Sequence, residues 1–231
     1  KQLLDFNIAS INVKDKVQRT PLSYLCNRYR DKINEALNRT LLPDQIPSNL
    51  LDQDVDLKRF WSKACLLVKA AYHGSVEDPL PNGKIWHMLH ACSGVNSRPS
   101  NLFQLALKLH PEQLQECDHE GNLPLHIAAL APLEEKDNGL NIIEKLITAN
   151  PDASKVRNHQ RELPLHLAAW SGKPWEGGTK AILEAFPSAI TTRDEGTLLF
   201  PFMLAAIGHS SLGSVFLLLR SCPELERFSS Q

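Results

Sequence analysis

The octapeptide LPLHIAAL at Leu123–Leu130 returns forty residues later as LPLHLAAW at Leu163–Trp170. No other feature constrains the fold so strongly, because a chain that restates a motif at a fixed spacing is built from a repeated unit. Weaker copies stand at Thr20-Pro21-Leu22-Ser23-Tyr24-Leu25 and at Phe200-Pro201-Phe202-Met203-Leu204-Ala205-Ala206. A degraded copy, His87-Met88-Leu89-His90-Ala91-Cys92, puts Met88 in the proline slot. That slot falls at 21, 88, 124, 164 and 201, so the intervals are 67, 36, 40 and 37. Three of them share one period, and the first is nearly two.

The texture around the motif repeats as well. Upstream stand polar turns rich in Asp, Asn and Gly, residues that tolerate tight turns: DHEGN at Asp118–Asn122, NHQRE at Asn158–Glu162 and RDEGT at Arg193–Thr197. Downstream come apolar stretches with the spacing of buried helices, Asn101–His110, Asn141–Asn150, Thr179–Phe186 and Gly213–Ser221. Each period therefore predicts a turn, a short helix, a loop and a longer helix.

The residues of this pattern resemble the ankyrin repeat. LPLHIAA and LPLHLAA fit that family's TPLHxAA, with proline at the first helical position, where its missing N–H does no harm. Small pairs at Ala128-Ala129, Ala168-Ala169 and Ala205-Ala206 suit close helix packing between repeats. The segments from Pro111, Pro151 and Pro187 to the next motif match the family's long outward loop in length. The resemblance implies an all-α, ankyrin-type solenoid of about five repeats, forming a single domain over 1–231. The repeats fall at about 12–74, 82–115, 118–152, 158–188 and 194–226. Pro21, Pro124, Pro164 and Pro201 then open the first helices, and His126 and His166 tie one layer to the next.

Several departures carry their own expectations. Leu123, Leu163 and Phe200 replace the family's threonine, so only Thr20 offers a capping hydroxyl. Pro111, Pro151, Pro187 and Pro223 stand where a glycine usually ends the second helix. Proline cannot take the left-handed conformation used there, so short helical turns in place of clean hairpins are expected. In this the chain looks like the divergent, long-period ankyrin proteins of microalgae. The 67-residue interval predicts an insertion near 28–56, with Leu57–Gly74 as the displaced second helix of the first repeat.

Composition excludes whole classes of function. A net charge of -1 gives no electrostatic reason to bind nucleic acid or anionic membrane. The longest apolar runs are far too short to span a bilayer, so no membrane insertion is expected. Five cysteines without paired spacing read as reduced, structural thiols of an intracellular, cytoplasmic or nuclear protein. The start at Lys1 suggests a fragment whose N-terminus, and with it any organelle signal, is missing.

Candidate chemistry fails on residue type or spacing. His87, His90, Cys92, Cys117 and His119 lack the paired spacing of a zinc site, so no metal is expected. Gly172–Thr179 nearly spells a phosphate loop, but Gly178 stands where the lysine is required. Gly208–Leu212 lacks the closing glycine of a nucleophile elbow. Carboxylate groups such as Glu134-Glu135 and Asp52-Asp54-Asp56 read as solvated faces. No enzyme activity and no cofactor is expected.

The position just after the Ala pair faces the groove in ankyrin proteins, and here it holds Leu130, Trp170 and Ile207. That apolar row is expected to bind a partner protein, with a polar rim of His119, Glu120, His159, Gln160, Arg161, Asp194 and Glu195. The competing expectation is that the loops ALAPLEEKDNG and SGKPWEGG fold over the row and bury it. A scaffold is the leading reading. The alternatives are a structural subunit fixed in a larger assembly and the regulatory part of a larger enzyme.

Overall fold

The computed structural model describes residues 13–16, 19–39, 49–73, 87–95, 99–131 and 142–222. Every regular element among them is helical. The chain divides into two compact units, 1–113 and 114–231.

In the first unit α1 (Pro21–Arg28) opens on Pro21, and the Ser23 N–H donates to the Thr20 hydroxyl oxygen at 3.2 Å. Threonine thus supplies the local helix cap expected of it. After one residue the chain re-enters a helix, α2 (Arg30–Asn38), followed by α3 (Asn49–Asp52) and α4 (Val55–His73). The helix α2 lies inside the segment read from sequence as an insertion. It packs on α6 (Ser100–Leu109), while α4 packs on both α1 and α5 (Met88–Gly94). By these contacts α2, packed on the second helix α6, fills the second-helix place after α1, and α4, packed on the first helices α1 and α5, is not the displaced second helix expected over Leu57–Gly74. The signal was weak because α2, RDKINEALN, buries only Ile33 and Ala36. Gly74, expected to end α4, lies outside the described residues.

Two lysines and one carboxylate fix this unit. The Lys108 ammonium donates to the Ala36 and Leu37 carbonyls at 2.8 and 3.0 Å and to the Arg39 carbonyl, closing the C-terminus of α2. Asp54 was expected on a solvated face, but its Oδ1 accepts the Asp56 and Leu57 N–H groups, each at 3.0 Å, and caps α4. Its other oxygen accepts from Lys32 at 3.1 Å. Those bonds outweigh partial burial and hold the Asp54 carboxyl below the usual range.

The second unit is a succession of helix pairs. It contains α7 (Pro124–Leu130), α8 (Ile142–Ala149), α9 (Pro164–Ser171), α10 (Lys180–Ala185), α11 (Pro201–Ile207) and α12 (Leu212–Arg220). The short helices form one row, with α7 on α9 and α9 on α11, and α8 packs on α10 alongside. The pairs close through α7 on α8 and α11 on α12. Pro124, Pro164 and Pro201 each take the first helical position. Ala128, Ala129, Ala168 and Ala169 are buried, so the short helices approach through small side chains.

The prolines after the long helices act as their departure from glycine implies. Pro111–Leu114, Pro151–Lys155 and Pro187–Thr191 each form a short 3-10 turn. Pro223 lies outside the described residues.

Candidate functional site

The two motif histidines do identical work forty residues apart. The Leu123 N–H donates to Nδ1 of His126 at 3.1 Å, and the Leu163 N–H donates to Nδ1 of His166 at 3.2 Å. A ring that accepts at Nδ1 must carry its proton on Nε2. Nε2 then donates to the Val156 carbonyl and the Thr192 carbonyl respectively, each at 3.0 Å. Each ring therefore supplies the returning half of a capping box, satisfying the N–H of the leucine before the helix, and also holds the turn of the following layer. Burial lowers the pKa of His166, so the neutral ring is the form that the packing selects.

Other layer-to-layer bonds surround these. Ser171 Oγ donates to the Ala129 carbonyl and Ser210 Oγ to the Ala169 carbonyl, both at 2.8 Å. Asn158 Nδ2 donates to Asn122 Oδ1 at 3.1 Å, and the His159 N–H to the Glu120 carbonyl at 2.9 Å. With each layer bound to the next, the positions that remain outward are held at fixed spacing.

Leu130, Trp170 and Ile207 occupy equivalent places, six residues after Pro124, Pro164 and Pro201. They are 49 %, 43 % and 61 % exposed, while the preceding Ala129 and Ala169 are buried. The loop SGKPWEGG leaves the row open. Of ALAPLEEKDNG, residues 132–139 lie outside the described residues, as do Glu134 and Glu135. The row is fixed from beneath. Gly172 ends α9 at φ +79°, and a Cβ there would run into the His209 carbonyl, so the chain after Ile207 passes directly under this corner. The His209 N–H donates to the Trp170 carbonyl at 3.1 Å, and the two rings meet edge-on at 6.4 Å.

The expected rim divides. His119, Glu120, His159, Gln160, Arg161 and Glu195 are all exposed. Arg161 takes a left-handed φ of +68° and reaches Glu195 at 2.9 Å, and Arg157 meets the same carboxylate at 3.3 Å. Glu195 is held below the ordinary carboxylate range chiefly by the Arg161 bond. His119 sits 3.7 Å from Glu120. Asp194 does not belong to the rim: it is buried, and its Oδ2 accepts the Thr197 N–H at 2.7 Å and the Thr197 hydroxyl at 2.6 Å. RDEGT contains Asp194 and Thr197 at the i, i+3 spacing of a side-chain-closed turn, and that spacing was the available signal. Burial pushes the Asp194 carboxyl up, but these bonds outweigh it and the group titrates below its ordinary value.

The near-match to a phosphate loop has a packing explanation. Trp175–Thr179 forms a wide turn in which Gly178 adopts φ +127° against Ile143, where a Cβ would clash. Lys173 is buried, and its ammonium bonds the Ala131 carbonyl. Among the described residues, no group of three or more His, Cys, Asp or Glu side chains is placed to hold a metal ion. No helix among them is long and apolar enough to cross a membrane. The described cysteines are all free thiols, and burial pushes Cys26 and Cys65 up to about 12, far from a reactive thiolate. No family model matches the chain, and no curated protein is similar to it.

Proposed function

We propose that the chain is an ankyrin-type repeat scaffold that binds a partner protein through the row of Leu130, Trp170 and Ile207. One observation carries the reading: the same outward position in three successive layers is apolar and open, while Ala129 and Ala169 just before it are buried in the first two. A lone exposed leucine means little, but an aligned set including a tryptophan is the composition of a binding hot spot. The histidine and serine bonds support the mechanism. They hold the three side chains in place before any ligand arrives, so little conformational entropy is lost on binding. His119, Glu120, His159, Gln160 and Arg161 supply a polar rim at the turn tips. The partner is a protein, and the activity is non-enzymatic and needs no cofactor.

The test is selection of peptides from a display library against the wild-type chain, followed by binding to variants. Trp170→Ala should abolish capture of the selected peptides, with Leu130→Ala and Ile207→Ala weakening it. Peptides that bind the Trp170→Ala variant as well as the wild type would place recognition elsewhere and contradict the reading.

A further inference from the structure

The turns that precede the short helices of the second unit carry charge unevenly. In the first two layers three carboxylates are gathered about two buried amides. Asn122 Nδ2 donates to Asp118 Oδ2 at 3.3 Å and to Glu120 Oε2 at 3.2 Å. Asn158 Nδ2 donates to Glu162 Oε2 at 2.9 Å and to Asn122 Oδ1 at 3.1 Å, which joins the two turns. Glu120 is exposed, and Asp118 and Glu162 are half-buried. The amides hold these carboxylates in place without neutralising them. Among the described residues no lysine or arginine pairs with any of the three, and of basic groups Glu120 meets only His119, at 3.7 Å. The third layer differs. Glu195 is shared by Arg161 and Arg157, and the Arg193 guanidinium lies 4.6 Å from the centre of the Phe200 ring. The rim therefore runs from acidic beside α7 and α9 to compensated beside α11.

We infer that the occupant of the Leu130–Trp170–Ile207 row is a basic segment of a partner protein, with lysine or arginine set beside Asp118, Glu120 and Glu162 and apolar side chains on the row. The inference rests on that row being the binding surface and adds the chemistry of what it binds. Charge complementarity selects the occupant. The helices α7 and α9 are seven and eight residues long, about 10–12 Å. A segment crossing them has the turn carboxylates on one flank and the apolar row on the other, within reach of a long basic side chain. An acidic segment would meet three uncompensated carboxylates of its own sign, and like charges across an interface suppress wrong partners. The composition of this unit agrees. Residues 114–231 carry ten Lys and Arg against fifteen Asp and Glu. Of those ten, Lys173 is buried on the Ala131 carbonyl, and the Lys145 ammonium is buried as well. Because the surplus charge lies beside α7 and α9 alone, it also sets a direction: the basic end of the segment lies toward Leu130 and the less charged end toward Ile207.

Selection from a random peptide library against the whole chain, followed by affinity measurement on the recovered peptides, tests this. Peptides that bind the wild type and lose binding to Trp170→Ala should carry lysine or arginine in excess over the input library, on one side of their apolar residues. Their dissociation constants should rise at least ~3-fold between about 0.05 and 0.5 M NaCl, as exposed charge is screened. Glu120→Gln and Glu162→Gln keep an acceptor oxygen for the asparagine amides. Together they should weaken binding about threefold to tenfold, chiefly through slower association, with an unchanged melting temperature. Glu184→Gln, exposed on α10, removes the same charge elsewhere and should leave affinity unchanged. Trp170-dependent peptides with no basic excess, or with affinities that ignore salt and both rim substitutions, overturn the inference and leave the row standing. An effect of Glu184→Gln as large as that of either rim substitution overturns it too, since the peptides then read net charge and not the rim. A library that yields no Trp170-dependent binder removes the row, and the inference with it.

Discussion

Two helix starts, one in each unit, satisfy different backbone N–H groups with different chemistry. In the first unit α1 is capped by hydroxyls: Thr20 accepts the Ser23 N–H, and Ser23 Oγ donates back to the Thr20 carbonyl at 2.8 Å. The cap closes on itself within four residues. In the second unit α9 has leucine in the threonine place, and the bond runs the other way: His166, three residues on, accepts the N–H of Leu163 itself. The imidazole is long enough to use its far nitrogen on Thr192, twenty-six residues away. A hydroxyl cap stabilises one helix, whereas an imidazole cap stabilises one helix and joins two layers. That difference lets the second unit hold a row of outward residues in register.

The largest expected effect comes from removing the ring. His166→Ala leaves the Leu163 N–H and the Thr192 carbonyl without partners and opens a cavity, at a cost of about 3 kcal/mol of unfolding free energy. Denaturant unfolding of the variant checks this. His126→Ala should lose a similar amount through Leu123 and Val156. The double change Leu163→Thr with His166→Ser writes the first unit's TPLS into α9 and sharpens the comparison. It should recover about 1 kcal/mol of the loss, the value of a hydroxyl cap, and leave the rest unrecovered because neither the backbone N–H at 163 nor the Thr192 carbonyl regains the partner the ring supplied. Full recovery would mean that the layer-to-layer bond contributes nothing. Thr20→Ala removes a local cap alone and should cost about 1 kcal/mol.

A pH effect follows from the same ring. The folded-state pKa of His166 is lowered by burial, offset in part by the Thr192 bond and the nearby Asp194 carboxylate. Protonation would also set an Nδ1–H against the Leu163 N–H, two donors facing each other. The stability associated with the neutral ring is therefore complete above the unfolded value near 6.5 and is lost as pH falls below it toward the depressed folded value. Urea midpoints at pH 7.5 and 5.5 should show the decline, and it should shrink in the His166→Ser double variant. Asp194 titrates below its ordinary value, so its own loss comes at lower pH and does not confuse this window.

What could be read from sequence was whatever the repeat restates. Proline at the helix start, histidine as a tie and the buried alanine pairs recur, and each copy checks the others. The 3-10 turns followed from proline standing where glycine would end a helix, a deduction from backbone geometry. Features stated once stayed hidden. The helix α2 carries too few apolar residues to stand out, and Asp54 is a cap only because Lys32 and the start of α4 converge on it. Asp194 looked like a rim residue because its neighbours are polar, yet Thr197 draws it inward. The open row at Leu130, Trp170 and Ile207 was legible in position. Its exposure depended on how the loop after α9 runs, which Gly178 against Ile143 and the buried Lys173 decide.

The smallest stability effect is also the most informative. Trp170 is large and apolar, and in a core its truncation to alanine would cost about 3–5 kcal/mol. As a half-exposed member of an outward row it should cost under about 1 kcal/mol. Thermal unfolding of Trp170→Ala beside His166→Ala is therefore the direct test of whether the repeated octapeptide combines a structural tie with a separate binding position. The account predicts a fall of about 6–12 °C for His166→Ala and of no more than about 3 °C for Trp170→Ala. Equal falls would make Trp170 part of the packing and contradict the claim that the row is a site.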